Sequence, residues 1–232
     1  QLLLHHESAQ RCMATIKLER LGMEVLREII VEGFKQLGMR VLETTGNRVA
    51  MLSDGFPHFT HLIGLKMAEA ALEEEQLPRH MDDDNRLEAA IRAAVLESEA
   101  TVKEAYDAAV QKYASYEPVL WAVADHQELY RSTRQIQDSY YRICNDLRAK
   151  EEHVDIVDKK KLSQMLNRLK RPNHGRALVS MKASWFKIRE SMLRGYCRMI
   201  AASKGIRVGP DPNPPSSGSN RPSRRDVEDS EA

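Results

Sequence analysis

The sequence predicts a mainly α-helical chain with a short β-hairpin near its C-terminal end. Three observations carry this. Between residues 22 and 169, apolar residues recur at three- and four-residue spacing in one segment after another. Turn signals separate the segments, above all Ser53-Asp54-Gly55-Phe56-Pro57-His58 and Glu117-Pro118. Alternation of the strand kind appears at residues 176–182 and 185–189.

Taken in order, Gln1-Leu2-Leu3-Leu4-His5 reads as the end of a buried strand. A turn at Ser8 and an apolar piece from Met13 to Leu18 follow. Residues 22–40 form an amphipathic helix with Val25, Leu26, Ile29, Ile30 and Phe34 on one face, and Gly33 and Gly38 read as helix-end punctuation. A short helix at 46–53 ends where Gly55 can take a positive φ. Pro57 suits the first turn of the next helix, where its missing N–H costs nothing. That helix runs to residue 75 with Leu62, Leu65, Met67 and Leu72 buried, and Glu73-Glu74-Glu75 form its solvated end. Asp82-Asp83-Asp84-Asn85 offers an N-cap for a helix at 87–96. Residues 101–116 make a further helix. Pro118 opens another at 119–125, with Leu120 and Trp121 as core anchors. Then come helices at 133–147, with Ile136, Tyr140 and Ile143 inward, and at 159–169, capped by Asp158. A loop at 171–175 leads into the two strands, joined at Ala183-Ser184, and a closing helix at 191–203. Three helices followed by a hairpin is the winged-helix order. From Gly205 on, Pro, Ser, Gly, Asn and Arg dominate, the composition of a disordered tail.

At 232 residues the chain is long enough for two small domains. Hydrophobic residues at 42% and charged residues at 30% are ordinary for a soluble globular protein. No apolar run reaches the roughly 18 residues of a membrane span, and no secretory signal opens the chain. Cys12, Cys144 and Cys197 show no paired spacing, so they read as free thiols in a reducing cytoplasm, without a zinc site. No nucleophile elbow or HExxH spacing marks a hydrolytic site.

The net charge of +1 hides a split: residues 1–158 carry a net −10 and residues 159–232 a net +11. Such asymmetry fits a chain that meets a polyanion with one half. Lys159, Lys160, Lys161, Arg168, Lys170, Arg171 and Arg176 fall within 18 residues that hold no acid. Leu162, Met165, Leu166 and Leu169 are the buried face of the same helix. In helix–turn–helix folds the corresponding helix enters the DNA major groove. In that reading Lys182, Lys187 and Arg189 on the hairpin would add wing contacts to phosphate or the minor groove. A solvated basic face and a dock for an acidic protein are the other readings. The Gly-x-Pro turn has two readings as well, an ordinary helix corner or a helix start that faces an anion.

Ile16-Lys17-Leu18-Glu19-Arg20-Leu21, the helix from Glu24 to Gly33, the Gly-x-Pro turn and the basic winged-helix pattern follow one another in an order that carries a resemblance. The chain resembles the C-terminal part of an AAA+ ATPase, in the branch of the origin-recognition initiators and the STAND switch ATPases. The resemblance implies the end of an ATPase core at 1–21, a helical lid at 22–100, a winged-helix domain at 101–205 and a tail at 206–232. It implies ATP or ADP as ligand, with Gly55 and Pro57 against the adenine or ribose. His58 stands where related ATPases place a sensor arginine. A histidine is shorter and often neutral, which implies slow turnover. His61 lies one turn beyond Pro57 on the same broad face. Arg11 stands where an arginine finger acts on a neighbouring subunit, implying a homo-oligomer through the core, and Arg20 is the second candidate. Without the resemblance, these histidines are satisfied structural residues and Arg11 a surface ion pair.

The chain carries no P-loop: Gly33 and Gly38 have the separation, but Met39-Arg40 follow. No strand ends in paired acids, and the first residue is Gln1. The expectation is therefore the C-terminal portion of a longer ATPase, whose Mg²⁺ is held by residues outside this chain. A stand-alone winged-helix regulator without nucleotide, and a winged helix packed on protein, remain the alternatives.

Overall fold

A computed structural model describes residues 19–210, apart from Glu75, Leu77, Asp82, Gln111, Lys112 and Ala183. The expected strand at Gln1–His5, the turn at Ser8, the Met13–Leu18 piece, Arg11, Cys12 and most of the C-terminal tail lie outside these residues. The described part is mainly helical with one small sheet.

Four helices come first: α1 (Met23–Gln36), α2 (Glu43–Ser53), α3 (Pro57–Leu72) and α4 (Asp84–Glu97). Leu26, Ile30 and Phe34 are the inward stripe of α1, at the spacing that keeps one face of a helix together. Val25, expected on that face, is exposed, and Gly33 lies inside the helix rather than at its end. The α3 helix packs through Phe59, Ile63, Met67 and Ala71, four residues apart. Leu65 and Leu72, expected inside, are instead exposed. The helix is apolar almost all round, so its sequence pattern cannot select one face; its neighbours do. Asp83 caps α4 by accepting from the Asn85 N–H at 2.8 Å. The α1–α2 and α3–α4 connections are stitched together: Arg40 N–H donates to Arg79 O, and Met81 N–H to Arg40 O.

Helix α5 (Ala100–Val110) is shorter than expected, and a 3₁₀ turn at Ala114–Tyr116 leads into α6 (Glu117–Ala124). Every residue of α6 from Pro118 onward is buried. Strand β1 (Arg131–Ser132) precedes α7 (Thr133–Ala149), which Ser132 and Gln135 start with a reciprocal capping box. Helix α8 (Lys159–Arg168), a 3₁₀ turn at Pro172–His174, β2 (Leu178–Ser180), β3 (Trp185–Ile188) and α9 (Ser191–Ser203) complete the order. The sheet is antiparallel with β3 central, in the order β1-β3-β2. Two-residue β1 has no periodicity to announce it in sequence, and only its pairing with β3 defines it. Its Arg131 is buried and donates to Ala122 O and Ser139 Oγ.

The closing helix α9 sits in the middle of the molecule. Residues Leu193 to Ala202 are all buried, and they pack on α2, α4, α5, α6 and β3. The approach to α3 is close: a Cβ on Gly195 would meet the Phe59 ring at 3.0 Å and Leu52 O at 3.3 Å. One hydrophobic core therefore runs from the first four helices through α9 into the sheet.

Three tyrosines in this core tie the elements together. Tyr106 donates to Glu117 Oε1 at 3.0 Å and accepts from Trp121 Nε1 at 3.0 Å. Tyr140 accepts from the Val157 N–H, holding the chain that leads into α8. Burial pushes all three phenols up: Tyr196 to about 12, Tyr140 further, and Tyr106 well above its usual value. The folded chain thus keeps these protons where the unfolded chain loses them. Stability is full below the ordinary phenol value of 10.0 and falls as pH rises from there towards 12. In an alkaline titration, the tyrosinate absorbance of this set is expected to rise together with loss of helical ellipticity. Ionisation of all the tyrosines near 10.0 with the helices intact would contradict the burial.

Candidate nucleic-acid interface

Helix α8 is built by a local division of labour. Asp158 caps it, accepting from the Lys161 N–H at 2.7 Å. Leu162, Met165, Leu166 and the following Leu169 are buried, and α8 leans on α6 and α7 through that face. Lys159, Lys160, Lys161 and Arg168 are exposed on the rest of its surface, and Arg171 is exposed on the loop that follows. Three lysines occupy the first turn, where the helix dipole is positive. That placement opposes helix stability rather than adding to it. Among the described residues, no acidic side chain lies within ion-pair distance of Lys159, Lys160, Lys161, Arg168, Lys170, Arg171, Arg176 or Lys182.

The loop after α8 is anchored from behind. His174 is buried, its Nδ1 lies 2.8 Å from Ala109 O, and its ring packs 4.6 Å from Tyr116. Arg171 and Arg176 flank this anchor and point their exposed side of the loop to solvent. Lys170 reaches the hairpin, with Nζ 3.4 Å from Ser180 Oγ and 5.6 Å from the Phe186 ring centre. Lys187 lies over the Tyr130 ring at 4.8 Å. The basic residues expected on α8 and its loop are thus exposed together, with Lys170 reaching the Phe186 side of the sheet, whereas Lys187 lies on the opposite side of β3 over Tyr130.

The residues expected around a nucleotide are not gathered in one cavity. Helix α2 ends at Ser53 with Asp54 and Gly55 both left-handed, at φ 52° and 86°. Asp54, not Gly55, is the first left-handed residue. Pro57 opens α3, and no side chain caps that start. Gly55 is covered by Arg20, whose Cβ would be 2.6 Å from an added Cβ. His58 is half-exposed, with Nε2 3.9 Å from Glu99 Oε1. His61 lines a separate apolar groove of about 250 Å³ with Ile29, Phe34, Gly64 and Leu65, between α1 and α3.

Beside the turn is a cluster that the sequence did not assemble: Arg20, the second finger candidate, pairs with Asp54 of the turn, and Arg194 and Arg198, which nothing in the sequence singled out, join it. The buried Asp54 carboxylate faces three guanidinium groups. Arg194 grips it with two bonds, Nε to Oδ2 at 2.8 Å and Nη2 to Oδ1 at 2.5 Å. Arg198 Nη1 lies 3.0 Å from Oδ1 and Arg20 Nη1 2.9 Å from Oδ2. Arg198 also donates to Met51 O, Ala124 O and His126 O. Those carbonyls lie at the C-terminal ends of α2 and α6, where the negative dipole end helps to offset the extra positive charge. Burial pushes the Arg198 guanidinium down to about 10, against the pull of Asp54. A cavity of about 180 Å³ opens beside the cluster, lined by Arg20, Gly55, Gln127, Arg194 and Arg198. Two arginines four residues apart on an otherwise apolar closing helix were the available sequence signal.

Elsewhere, Asp83 is spent on its cap and Asp84 pairs with Arg48. Among the described residues, no group of three His, Cys, Asp or Glu side chains could hold a metal ion. No helix among them is long and apolar enough to cross a membrane. Comparison with protein-family models, with curated proteins and with solved structures returned no match.

Proposed function

We propose that the chain binds duplex DNA through α8, as the winged-helix part of an AAA+ ATPase whose lid is formed by α1 to α4. The observation that carries this is the unpaired cation band of α8, set on a helix–strand–helix–helix–hairpin order with β3 central. A helix in that position presents its exposed side to a groove, while the hairpin lies beside it over the backbone. Base readout is not part of the proposal, because lysine and arginine on this face suit phosphate oxygens of any sequence.

The ATPase part rests on the Gly-x-Pro turn and on the order of elements around it. In this reading ATP or ADP, with its Mg²⁺, sits between a core that this chain does not carry and the start of α3, against Gly55 and Pro57. Arg20 has to leave Gly55 for the nucleotide to reach it. His58 and His61 are then lid residues near the nucleotide rather than phosphate sensors. Self-association through the core and a cytoplasmic location belong to the same reading.

Fluorescence anisotropy with a labelled duplex, across a salt series, tests the DNA part. Each phosphate contact contributes about −0.9 to the slope of log affinity against log salt. A slope of roughly −3 or steeper is expected from a band of this size. Absence of binding at low salt, or binding that ignores salt, ends the DNA reading and leaves protein docking as the use of α8.

A further inference from the structure

The sheet has two faces of different character. Along β3, Phe186 and Ile188 are buried while Trp185 is 38% exposed and Lys187 is half-buried. Side chains alternate along a strand, so Trp185 and Lys187 share the outer face, about 7 Å apart. Ser132 pairs with Trp185, and Val179 with Lys187. Tyr130, just before β1, lies under the Lys187 ammonium at 4.8 Å. Met181 follows β2 and is 61% exposed. The outer face thus carries a tryptophan, a lysine and a tyrosine side by side, with no acidic residue anywhere from Lys159 to Arg189.

We propose that this outer sheet face, centred on Trp185 with Tyr130 and Lys187, is a stacking platform for unpaired nucleotides. It rests on the DNA reading of α8 and adds a second kind of contact to it. Aromatic rings on a sheet take bases by their faces, and an adjacent cation holds the backbone between them. The adjacent Lys187 attracts a polyanion, so an apolar ring exposed beside it suits a partner with both phosphates and flat faces.

The geometry favours unpaired bases over an intact duplex. The hairpin turn does not project as a wedge. Ser184 O accepts from Thr133 N–H at 2.8 Å and from Thr133 Oγ1 at 3.1 Å, which ties the turn back to the start of α7. Trp185 opens β3, and its pairing with Ser132 holds it on the sheet rather than on a free loop tip, where it can meet a base that is already unstacked but is poorly placed to pry one from a helix. The face also offers too little apolar area to enter a bilayer, since Tyr130 and Val179 are half-buried. A chain that grips duplex on α8 and a free strand on the sheet is suited to DNA with a single-strand junction.

The test uses the two tryptophans. Trp121 is 1% exposed, so changes in emission on binding report Trp185. Titration with an oligothymidylate is expected to quench that emission. Trp185→Ala should lower oligothymidylate affinity roughly tenfold or more, Trp185→Phe should keep most of it, and duplex affinity should hardly move. Unchanged helical ellipticity in both variants keeps the comparison valid, because Trp185 lies at the surface. Oligothymidylate bound without quenching, or Trp185→Ala weakening duplex as much as single strand, overturns the platform. So does quenching by anionic phosphatidylserine vesicles in place of oligothymidylate, which assigns the face to a membrane. Duplex bound with oligothymidylate ignored removes this inference and leaves the DNA reading standing; neither form bound removes both.

Discussion

Replacing Asp54 by alanine is expected to cost about 3–5 kcal/mol of folding free energy, most of the stability of an ordinary domain. The carboxylate is buried and takes four contacts from Arg20, Arg194 and Arg198. Removing it leaves three guanidinium groups crowded around an empty position, two of them buried. Their remaining bonds to backbone carbonyls satisfy hydrogens but do not cancel charge. Alanine also fits poorly at the left-handed φ of 52°, adding about 1 kcal/mol. Asp54→Asn tolerates that backbone and still accepts hydrogen bonds, so its loss should be smaller. Urea unfolding followed by ellipticity measures both. A loss under about 1 kcal/mol for Asp54→Ala would mean that the arginines do not depend on the carboxylate.

The second large effect is on binding. The triple change Lys160→Glu, Arg168→Glu and Arg171→Glu is expected to lower duplex affinity by roughly 10²–10³ at 0.1 M salt. Each lost phosphate contact removes roughly an eightfold factor there, and the salt slope should flatten by about 2.7. Unfolding does not account for such a loss. Lys160→Glu in the first turn of α8 is favoured by the dipole and Arg168→Glu in its last turn is disfavoured by a similar amount, so the variant should unfold close to the parent. Anisotropy over a salt series gives the affinities, and thermal melting gives the control. An unchanged slope would show that α8 does not face phosphate.

These two predictions draw on different kinds of information. The cation band was legible because it is local: Lys159 to Arg176 lie within one helix and its loop, and Leu162, Met165, Leu166 and Leu169 mark which side is buried. The Asp54 cluster was not, because Asp54 and Arg194 lie 140 residues apart. A single sequence holds no record of which distant charges meet.

The same contrast runs through the fold. Capping and periodicity set the closing helix at Ser191–Ser203, the Asp158 start of α8 and the end of α2 at Ser53, since backbone sterics and nearby side chains govern these features. Trp121 and Leu120 in the core follow from apolar character alone. Burial of Phe59 rather than Leu65 on α3, the existence of β1 and the outward display of Trp185 depended on which neighbours arrived. Local physical chemistry thus decided most of the helices, the hairpin and the charge on α8. Tertiary packing decided which face each element turned inward, and it alone brought Arg194 and Arg198 of α9 to the Asp54 turn, because a buried carboxylate is stable only where the whole fold delivers its counter-charges.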